Sequence, residues 1–211
     1  MMQNFAVVIA DIKASRKLAD RKRYEWQLFL KSAVVQINEN FSQFIEAPFM
    51  ITKGDEFQGV LRDLTMVDQV LLDFERLVYP VTLRFGIGYG PIQRMGSIIP
   101  IEMDGMAFHR ADKALHLAKK KKVTTLFSTI DSEFDLPVNT CYNLINSIKS
   151  RWSKTTYKRY WKYKELGTYK RVASEELVSP QAVWDSLNNS GAADVLDAEK
   201  NLSAMFNTHF V

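Results

Sequence analysis

The stretch Lys53-Gly54-Asp55-Glu56-Phe57 decides how the first half of this 211-residue chain is expected to fold. Apolar runs flank it on both sides, at residues 44–52 and 57–61. Two short apolar runs separated by a turn that contains glycine are typical of a β-hairpin. We therefore predict two antiparallel strands joined by a tight turn that carries two carboxylates at its tip.

A third carboxylate, Asp11, ends another apolar run. The run Phe5-Ala6-Val7-Val8-Ile9-Ala10 is continuous and partly β-branched, which is typical of a strand buried on both faces. Asp11 and Asp55, delivered by separate strands, could hold Mg²⁺ through oxygen ligands and leave room for nucleotide phosphates. An ordinary acidic turn explains the same spacing, so the residues alone leave both readings open.

The periodicity of the remaining segments predicts the fold class. Helical spacing covers residues 20–39, 66–76 and 105–120, and strand-like segments cover residues 81–89, 97–102 and 123–127. The resulting order, β-α-β-β-α-β-(β)-α-β, is typical of an α+β, ferredoxin-like (split βαβ) domain. We expect an antiparallel sheet with its helices on one face.

Two local features each allow two readings. Gly86, Gly88 and Gly90 alternate along the strand that begins near residue 81, which favours close packing of a helix or a bulge over contact with phosphate. Four lysines at residues 119–122 end the third predicted helix. They complement the helix dipole there, and phosphate binding is the open alternative.

Composition limits the class of protein. With 46% hydrophobic and 12% aromatic residues, the chain can fill a core. No apolar run is long enough to span a bilayer and no signal-like segment opens the chain, so we expect a cytoplasmic protein without a membrane partner. The net charge is +4, but residues 149–171 hold nine Lys or Arg against the single acid Glu165, a block that would attract polyanions.

The helical pattern changes near residues 131–137, where we place a domain boundary, so the predicted domains are residues 1–135 and 136–211. The spacing downstream predicts an all-α region with helices at residues 139–153, 154–165, 168–176, 180–188 and 192–207. Ser179 followed by Pro180 is a typical helix start, and Gly167 and Gly191 are typical stops.

Three segments, in this order, resemble the palm domain of class III nucleotidyl cyclases and GGDEF diguanylate cyclases. They are Val7-Val8-Ile9-Ala10-Asp11-Ile12, Lys53-Gly54-Asp55-Glu56-Phe57 and Ala111-Asp112-Lys113-Ala114-Leu115-His116-Leu117-Ala118-Lys119. Between the last two, Arg84-Phe85-Gly86-Ile87-Gly88 lies where these palms have a further strand. The resemblance implies a cyclase-type palm over roughly residues 4–128. With its helical tail, the whole chain most resembles the SatD family of small bacterial proteins.

The cyclase resemblance implies a metal site. Asp11 and Asp55 would be ligands of Mg²⁺, the backbone carbonyl of Ile12 would be a third contact, and Glu56 would face the base or support the ligands. The asparagine and arginine that reach across a cyclase dimer fall near His109 and Lys113 in this chain. Retained ligands without these partners imply nucleotide binding or a different chemistry.

The same resemblance implies nucleotide contacts. Ser15 and Arg16, just past the first strand, would lie near the triphosphate, and Lys53 and Gly54 at the hairpin tip would face the nucleotide. Lys53 replaces the first glycine of the GGDEF motif, where the backbone approaches guanine closely. The identity of the nucleotide, a nucleoside triphosphate or a cyclic nucleotide, therefore stays open.

In the tail, residues 168–187 resemble the helix-turn-helix of sigma-factor region 4. Ala173 would lie at the helix crossing, Val178 and Val183 would fill the core, and Leu177 stands where the turn glycine is usual. A helix that begins at Ser179 would enter the major groove while the upstream basic block contacts phosphates. The residues expected to contact DNA are Lys158, Arg159, Lys170, Arg171, Ser179, Gln181 and Trp184. A helical bundle with a solvated charged side is the alternative.

Taken together, the residues and resemblances predict a cytoplasmic, DNA-binding transcriptional regulator that binds Mg²⁺ and a nucleotide and forms a homodimer. The rival hypothesis is an active Mg²⁺-dependent nucleotidyl cyclase or nucleotidyltransferase whose helical tail docks a partner. A third is an adaptor protein with an inactive palm.

Overall fold

The computed structural model describes residues 3–14, 20–93 and 98–209. Within these ranges the chain forms one five-stranded sheet and eight α-helices, which confirms the α+β class. The strands are β1 (Asn4–Ile12), β2 (Ile45–Lys53), β3 (Glu56–Leu61), β4 (Leu83–Pro91) and β5 (Thr125–Ser128). The helices are α1 (Asp20–Asn40), α2 (Val67–Val78), α3 (Met106–Lys121), α4 (Ser132–Lys149), α5 (Lys154–Leu166), α6 (Tyr169–Glu176), α7 (Pro180–Asn188) and α8 (Ala192–His209).

The sheet has the strand order β2-β3-β1-β4-β5 and is mixed. β1 pairs antiparallel with β3 and with β4, and β2 pairs antiparallel with β3. β5 instead runs parallel to β4, so the expectation of a wholly antiparallel sheet is wrong. The reason is the connection between them, because α3 carries the chain back along the sheet as parallel neighbours require.

Both faces of the central strand β1 are covered by helices. Ala6 and Val8 belong to a core shared with residues of α1 and α2. Val7 and Ile9 belong to a second core that contains residues of α3. The expectation of helices on one face is therefore wrong. A continuous apolar strand requires this arrangement, because leaving either face in water would expose large apolar side chains.

Helix α3 lies unusually close to β4, and two glycines allow it. A Cβ atom added to Gly86 would overlap the backbone of Ala111 and Leu115, and one added to Gly88 would overlap the backbone of Ala107 and Ala111. The prediction that these alternating glycines allow close packing of a helix is confirmed. Because a side chain at either position would push the helix away, Gly86 and Gly88 fix the depth at which α3 lies on the sheet.

The strand expected at residues 97–102 is wrong in the part that the structure describes. Pro100–Glu102 is a single turn of 3₁₀ helix with proline at its first turn. Proline suits a helical start and cannot donate a hydrogen bond to a strand ladder. The backbones of Gln93 and Asp104 pair at N···O distances of 2.6 and 3.0 Å and close this loop.

Helix α4 runs through the boundary expected at residue 135. Asp131 caps it by accepting hydrogen bonds from two backbone amides of its first turn. The side chain of Asn139 then exchanges two hydrogen bonds with the backbone of Phe127 in β5, at 2.7 and 3.0 Å. Apolar residues of the sheet and of the tail form one core. The division into two domains stays a prediction, whereas the helical character of residues 136–209 is confirmed.

Candidate functional site

An open cleft of about 770 Å³ lies where β1 ends beside the turn between β2 and β3. Its walls include six residues predicted from the sequence: Asp11, Ile12, Lys53, Gly54, Asp55 and Glu56. Residues that the sequence did not assign to a site also line it, and they are Ala14, Arg84, Asp112, His116 and Lys119. The fold thus gathers the acidic hairpin tip and the end of β1 in one place.

Strand pairing explains why these groups meet. Ala10 lies opposite Phe57 in the antiparallel β1–β3 pair, so Asp11 and Glu56 lie at the same edge of the sheet. At the hairpin tip, Gly54 has a φ of 66°, which lies in the left-handed region. Glycine adopts this conformation without the strain that a Cβ atom causes, so it keeps the turn tight.

Two cationic side chains hold Asp11. Arg84 lies directly opposite it on β4, with Nη1 3.2 Å from Asp11 Oδ1. Lys119 of α3 lies on the other side, with Nζ 2.9 Å from Asp11 Oδ2. Only 14% of the Asp11 side chain and 12% of the Arg84 side chain are exposed. Water therefore screens the Asp11–Arg84 pair less than it would an ion pair at the surface.

One hydrogen-bond donor of Arg84 is unused. Its Nε atom is buried and has no hydrogen-bond partner among the described residues. An unsatisfied buried donor costs free energy, and the planar guanidinium presents several donors in a geometry that matches phosphate. The cleft therefore holds two cations suited to an anionic ligand, and both contact Asp11.

Sequence reasoning missed Arg84 as a site residue, and it left phosphate binding by Lys119 only as an open alternative. Alternation along β4 was the available signal for Arg84, because Arg84, Gly86 and Gly88 share the face on which α3 packs. Lys119 was only one of four lysines at a helix end, and its partner lies on a strand far away in sequence. The close approach of α3 to β4 is what brings the Lys119 side chain to Asp11.

The residues implied as Mg²⁺ ligands fit a metal site that forms when an anionic molecule binds in the cleft. They fit a site that is already formed without such a molecule less well. In the part of the chain that the structure describes, no three His, Cys, Asp or Glu groups are close enough to hold a metal ion. Both oxygens of Asp11 contact cations instead. Asp11, Asp55 and the Ile12 carbonyl could act together as oxygen donors once another anion occupies Arg84 and Lys119.

Ser15 and Arg16, the predicted triphosphate contacts, lie outside the described residues. The preceding residue, Ala14, lines the cleft and has a φ of 62°. On the opposite wall, His116 Nδ1 lies 3.3 Å from Asp112 Oδ1, one helical turn away on α3, and both side chains are largely exposed. The prediction for Ser15 and Arg16 is unchanged.

A protein-family model of the SatD family matches residues 5–202. The chain belongs to the SatD family. The match spans the sheet, the cleft and most of the helical tail, so the likeness to SatD proteins seen in the sequence is confirmed. A search among curated proteins finds no match.

This SatD family member has no helix, within the residues described, that is long and apolar enough to cross a membrane. Two helix boundaries in its tail have the caps that the sequence predicts. Ser179 starts α7 by accepting a hydrogen bond from the amide of Ala182 at 3.1 Å, as its sequence predicts. Gly167 ends α5 with a φ of 75°.

The turn between α6 and α7 differs from expectation in one residue. Ala173 and Val183 are buried as expected. Val178 is 38% exposed, so the expectation that it fills the core is wrong. Leu177, at the position where a glycine is usual, adopts the left-handed conformation with a φ of 54° and is 92% exposed. The chain turns at Leu177, and this directs the following Val178 away from the core.

Six of the predicted DNA contacts lie on the surface of the tail of this SatD family member: Lys158, Lys170, Arg171, Ser179, Gln181 and Trp184. Arg159 differs from them. Its Nε lies 2.8 Å from Glu176 Oε2, its Nη1 donates to the carbonyl of Ala182 at 3.2 Å, and 13% of its side chain is exposed. Arg159 therefore ties α5 to α6 and α7, which places it in the scaffold of the tail.

The basic block is partly neutralised within the tail. Lys149 and Lys164 lie 2.9 and 2.7 Å from the carboxylate of Glu199, and Lys149 also lies 3.1 Å from Glu75 of α2. Burial alone would raise the pKa of Glu199, but Lys149 and Lys164 outweigh it and the pKa is lowered. These charges join α2, α4, α5 and α8.

Proposed function

We propose that this protein binds the phosphates of a nucleotide in the cleft and that nucleotide occupancy regulates DNA binding by the tail. The observation that carries the proposal is the pair of cations, Arg84 and Lys119, held on Asp11 at the edge of an open cleft of about 770 Å³. Arginine and lysine are the side chains best suited to phosphate oxygens.

Asp11 and a bound phosphate would compete for the same cations. A triphosphate brings several negative charges and can accept a hydrogen bond from the unpartnered Nε of Arg84 as well as replace Asp11 at Nη1. Without a metal ion, removing the charge of Asp11 should therefore strengthen nucleotide binding. Removing the charge of Arg84 should weaken it.

Mg²⁺ belongs to this proposal as the ion that accompanies the nucleotide. Asp11, Asp55 and the Ile12 carbonyl are the oxygen groups that would hold it, and Glu56 lies beside them in the cleft. The ion would supply neutralisation of phosphate charge. Asp11 would then oppose nucleotide binding in the absence of Mg²⁺ and favour it in the presence of Mg²⁺, so its substitution should have opposite effects in the two conditions.

The exposed basic and polar residues of the tail support the DNA-binding part of the proposal. Lys158, Lys170 and Arg171 are exposed and could contact phosphates, and Gln181 and Trp184 lie on the exposed side of α7. The ion pair of Lys149 with Glu75 connects this tail to α2. A change in the position of α2 would therefore reach the tail through this contact.

Calorimetric titration of the full-length chain with ATP and with GTP tests the cleft, once with EDTA and once with Mg²⁺. In EDTA we expect Asp11→Asn to bind about tenfold more tightly than wild type and Arg84→Gln about tenfold more weakly. In Mg²⁺ we expect Asp11→Asn to bind more weakly than wild type. Asp112→Asn is the matched control, because Asp112 lines the same cleft and pairs with His116.

Affinities that are equal in wild type and Arg84→Gln, or an absence of heat with both nucleotides, would contradict the nucleotide proposal. Mass spectrometry of the same mixtures after long incubation separates a regulator from the rival enzyme. A cyclic or transferred nucleotide product would establish the nucleotidyl cyclase or nucleotidyltransferase alternative. DNA binding is measured by fluorescence anisotropy with and without nucleotide, and equal DNA affinities would remove the regulatory link.

A further inference from the structure

A second cavity, of about 270 Å³, lies between the segment that leads into β4 and the junction of α4 with α5. One wall is the segment from Tyr79 to Leu83 together with Thr124, and the opposite wall runs from Asn146 on α4 to Tyr157 on α5. Its lining shares no residue with that of the nucleotide cleft. The cavity is therefore separate from the site proposed above.

Two polar side-chain atoms on opposite walls of this cavity lack partners. The hydroxyl of Thr124 and the amide nitrogen of Asn146 are both buried, and neither has a hydrogen-bond partner in the described part of the chain. A buried polar group without a partner costs about 1–3 kcal/mol, so such groups are satisfied in most proteins. A ligand that bridged the two walls would satisfy both.

The aromatic side chains in the wall are fixed by their own contacts. The rings of Tyr79 and Tyr157 stack at 3.8 Å and 13°, and the Tyr157 hydroxyl donates to the carbonyl of Glu75 at 3.1 Å. The indole nitrogen of Trp152 donates to the carbonyl of Ser190 at 2.9 Å. Rigid aromatic walls with a few convergent polar groups are typical of sites for small planar molecules.

The charges in the wall exclude an anionic ligand at depth. Lys149, the buried cation of the cavity, is already paired with Glu75 at 3.1 Å and with Glu199 at 2.9 Å. An anion would have to compete with two carboxylates, and an added cation would lie beside Lys149 itself. A neutral ligand avoids both the competition with Glu75 and Glu199 and the repulsion by Lys149.

We propose that this cavity binds a small, uncharged, planar heterocycle that offers a hydrogen-bond acceptor to the Asn146 amide nitrogen and a second polar group to Thr124. Molecules of this class include free nucleobases and nicotinamide. The volume suits a single heterocycle with few substituents.

The cavity can also communicate with the nucleotide cleft. Lys13 lines the cavity, whereas its neighbours Ile12 and Ala14 line the cleft. The backbone amide of Lys13 donates to the carbonyl of Thr82 in the cavity wall at 2.9 Å. Occupancy of the cavity would therefore restrain the short segment that separates the two sites.

Saturation-transfer NMR on the full-length protein tests the proposal, with adenine, uracil and nicotinamide as probes at millimolar concentration. We expect transfer from wild type to at least one probe, and about tenfold weaker binding in Thr124→Val and in Asn146→Leu. Both variants replace an unsatisfied polar atom by an apolar group of similar shape, so their melting temperatures should not fall. Glu133→Gln, at an exposed residue that lines neither the cavity nor the cleft, should bind the probes like wild type.

Two results would overturn the proposal. One is the absence of transfer to all three probes in wild type. The other is transfer that is equal in wild type, Thr124→Val and Asn146→Leu, because such binding would occur elsewhere on the surface.

Discussion

Asp11 and Arg84 lie directly opposite each other on the antiparallel strands β1 and β4, with 3.2 Å between Asp11 Oδ1 and Arg84 Nη1. The two residues are 73 positions apart in the sequence, and the strand register alone brings them together. This pairing joins the residue expected to bind a metal ion to a residue suited to phosphate. Asp11 therefore occupies both Arg84 and Lys119, and an anion that binds either cation must compete with Asp11.

The Asp11–Arg84 pair should show strong energetic coupling. Both side chains are largely shielded, so each single substitution, Asp11→Asn or Arg84→Gln, should leave a partner uncompensated and destabilise the fold by about 1–3 kcal/mol. The double variant should lose less than the sum of the single losses, by about 1 kcal/mol or more. Urea unfolding of the four proteins measures this coupling, and additive losses would count against it.

The close contact between α3 and β4 should make Gly88 intolerant of a side chain. A Cβ atom there would overlap the backbone oxygen of Ala107 and the backbone nitrogen of Ala111, which cannot move independently. We expect Gly88→Ala to lower the free energy of unfolding by about 2–4 kcal/mol. Gly167→Asn is the control. Gly167 has open space around it and a φ that asparagine tolerates, so we expect a loss below about 1 kcal/mol.

The Gly167→Asn control shows whether a loss of stability in Gly88→Ala is specific to that position. A similar loss in both variants would point to a general cost of replacing glycine. A loss confined to Gly88→Ala would show that the helix must lie at its observed depth. Because Lys119 lies further along the same helix, Gly88→Ala should also weaken nucleotide binding in the cleft.

Asp68 should make the free energy of unfolding decrease as the pH rises. Most acidic side chains in folded proteins have the opposite effect, because their pKa is lowered by folding. Burial raises its pKa, and its Oδ1 atom has no hydrogen-bond partner among the described residues. A raised pKa means that the stability contributed by the protonated form is complete below the unfolded pKa of about 4 and is lost as the pH rises through the folded pKa. Asp68→Asn should therefore raise stability at pH 7 by about 1 kcal/mol.

Melting curves from acid to neutral pH test this prediction. The gain from Asp68→Asn should shrink as the pH falls towards about 4, where wild-type Asp68 is itself protonated. Asp73→Asn on the same helix is the control, because Asp73 is partly exposed near Arg76. A pH-independent gain, or the same gain in both variants, would show that burial of the Asp68 charge is not the cause.

Arg159 and Lys170 should affect the tail in different ways. Arg159→Ala breaks the contacts with Glu176 and Ala182, so we expect it to destabilise the protein by roughly 2 kcal/mol. Lys170→Ala removes an exposed cation, so we expect little change in stability. If the tail binds DNA, Lys170→Ala should weaken binding about equally across sequences and reduce its salt dependence.

Thermal unfolding and anisotropy titrations over a range of salt concentrations separate these effects. Glu175→Gln is a useful control for charge, because Glu175 is exposed beside Lys162 and carries the opposite sign. It should strengthen DNA binding where Lys170→Ala weakens it. If substitutions of Lys170, Arg171 and Glu175 all left the DNA affinity unchanged, a DNA interface on this face of the tail would be contradicted.

Local patterns predicted most of the elements of the fold. The apolar run of β1, the hairpin of β2 and β3 and the periodicity of α1 to α3 and α5 to α8 are all visible in the sequence, and the caps at Ser179 and Gly167 marked helix ends correctly. The predictions were wrong where the local sequence pattern is compatible with more than one way of packing. The direction of β5, the second helical face and the 3₁₀ turn at Pro100–Glu102 all depend on how distant segments pack.

The sequence by itself determined the acidic groups at the hairpin tip and at the end of β1, because residue types and local patterns are enough to identify them. It placed Asp11 at the end of a buried strand and Asp55 at a hairpin tip. Only the tertiary structure decided that Arg84 and Lys119 hold Asp11, since that contact depends on the register of β1 with β4 and on the depth of α3 over Gly86 and Gly88. Ion pairs between distant segments leave no periodic signal in a sequence, because their geometry is set by packing and not by local conformation.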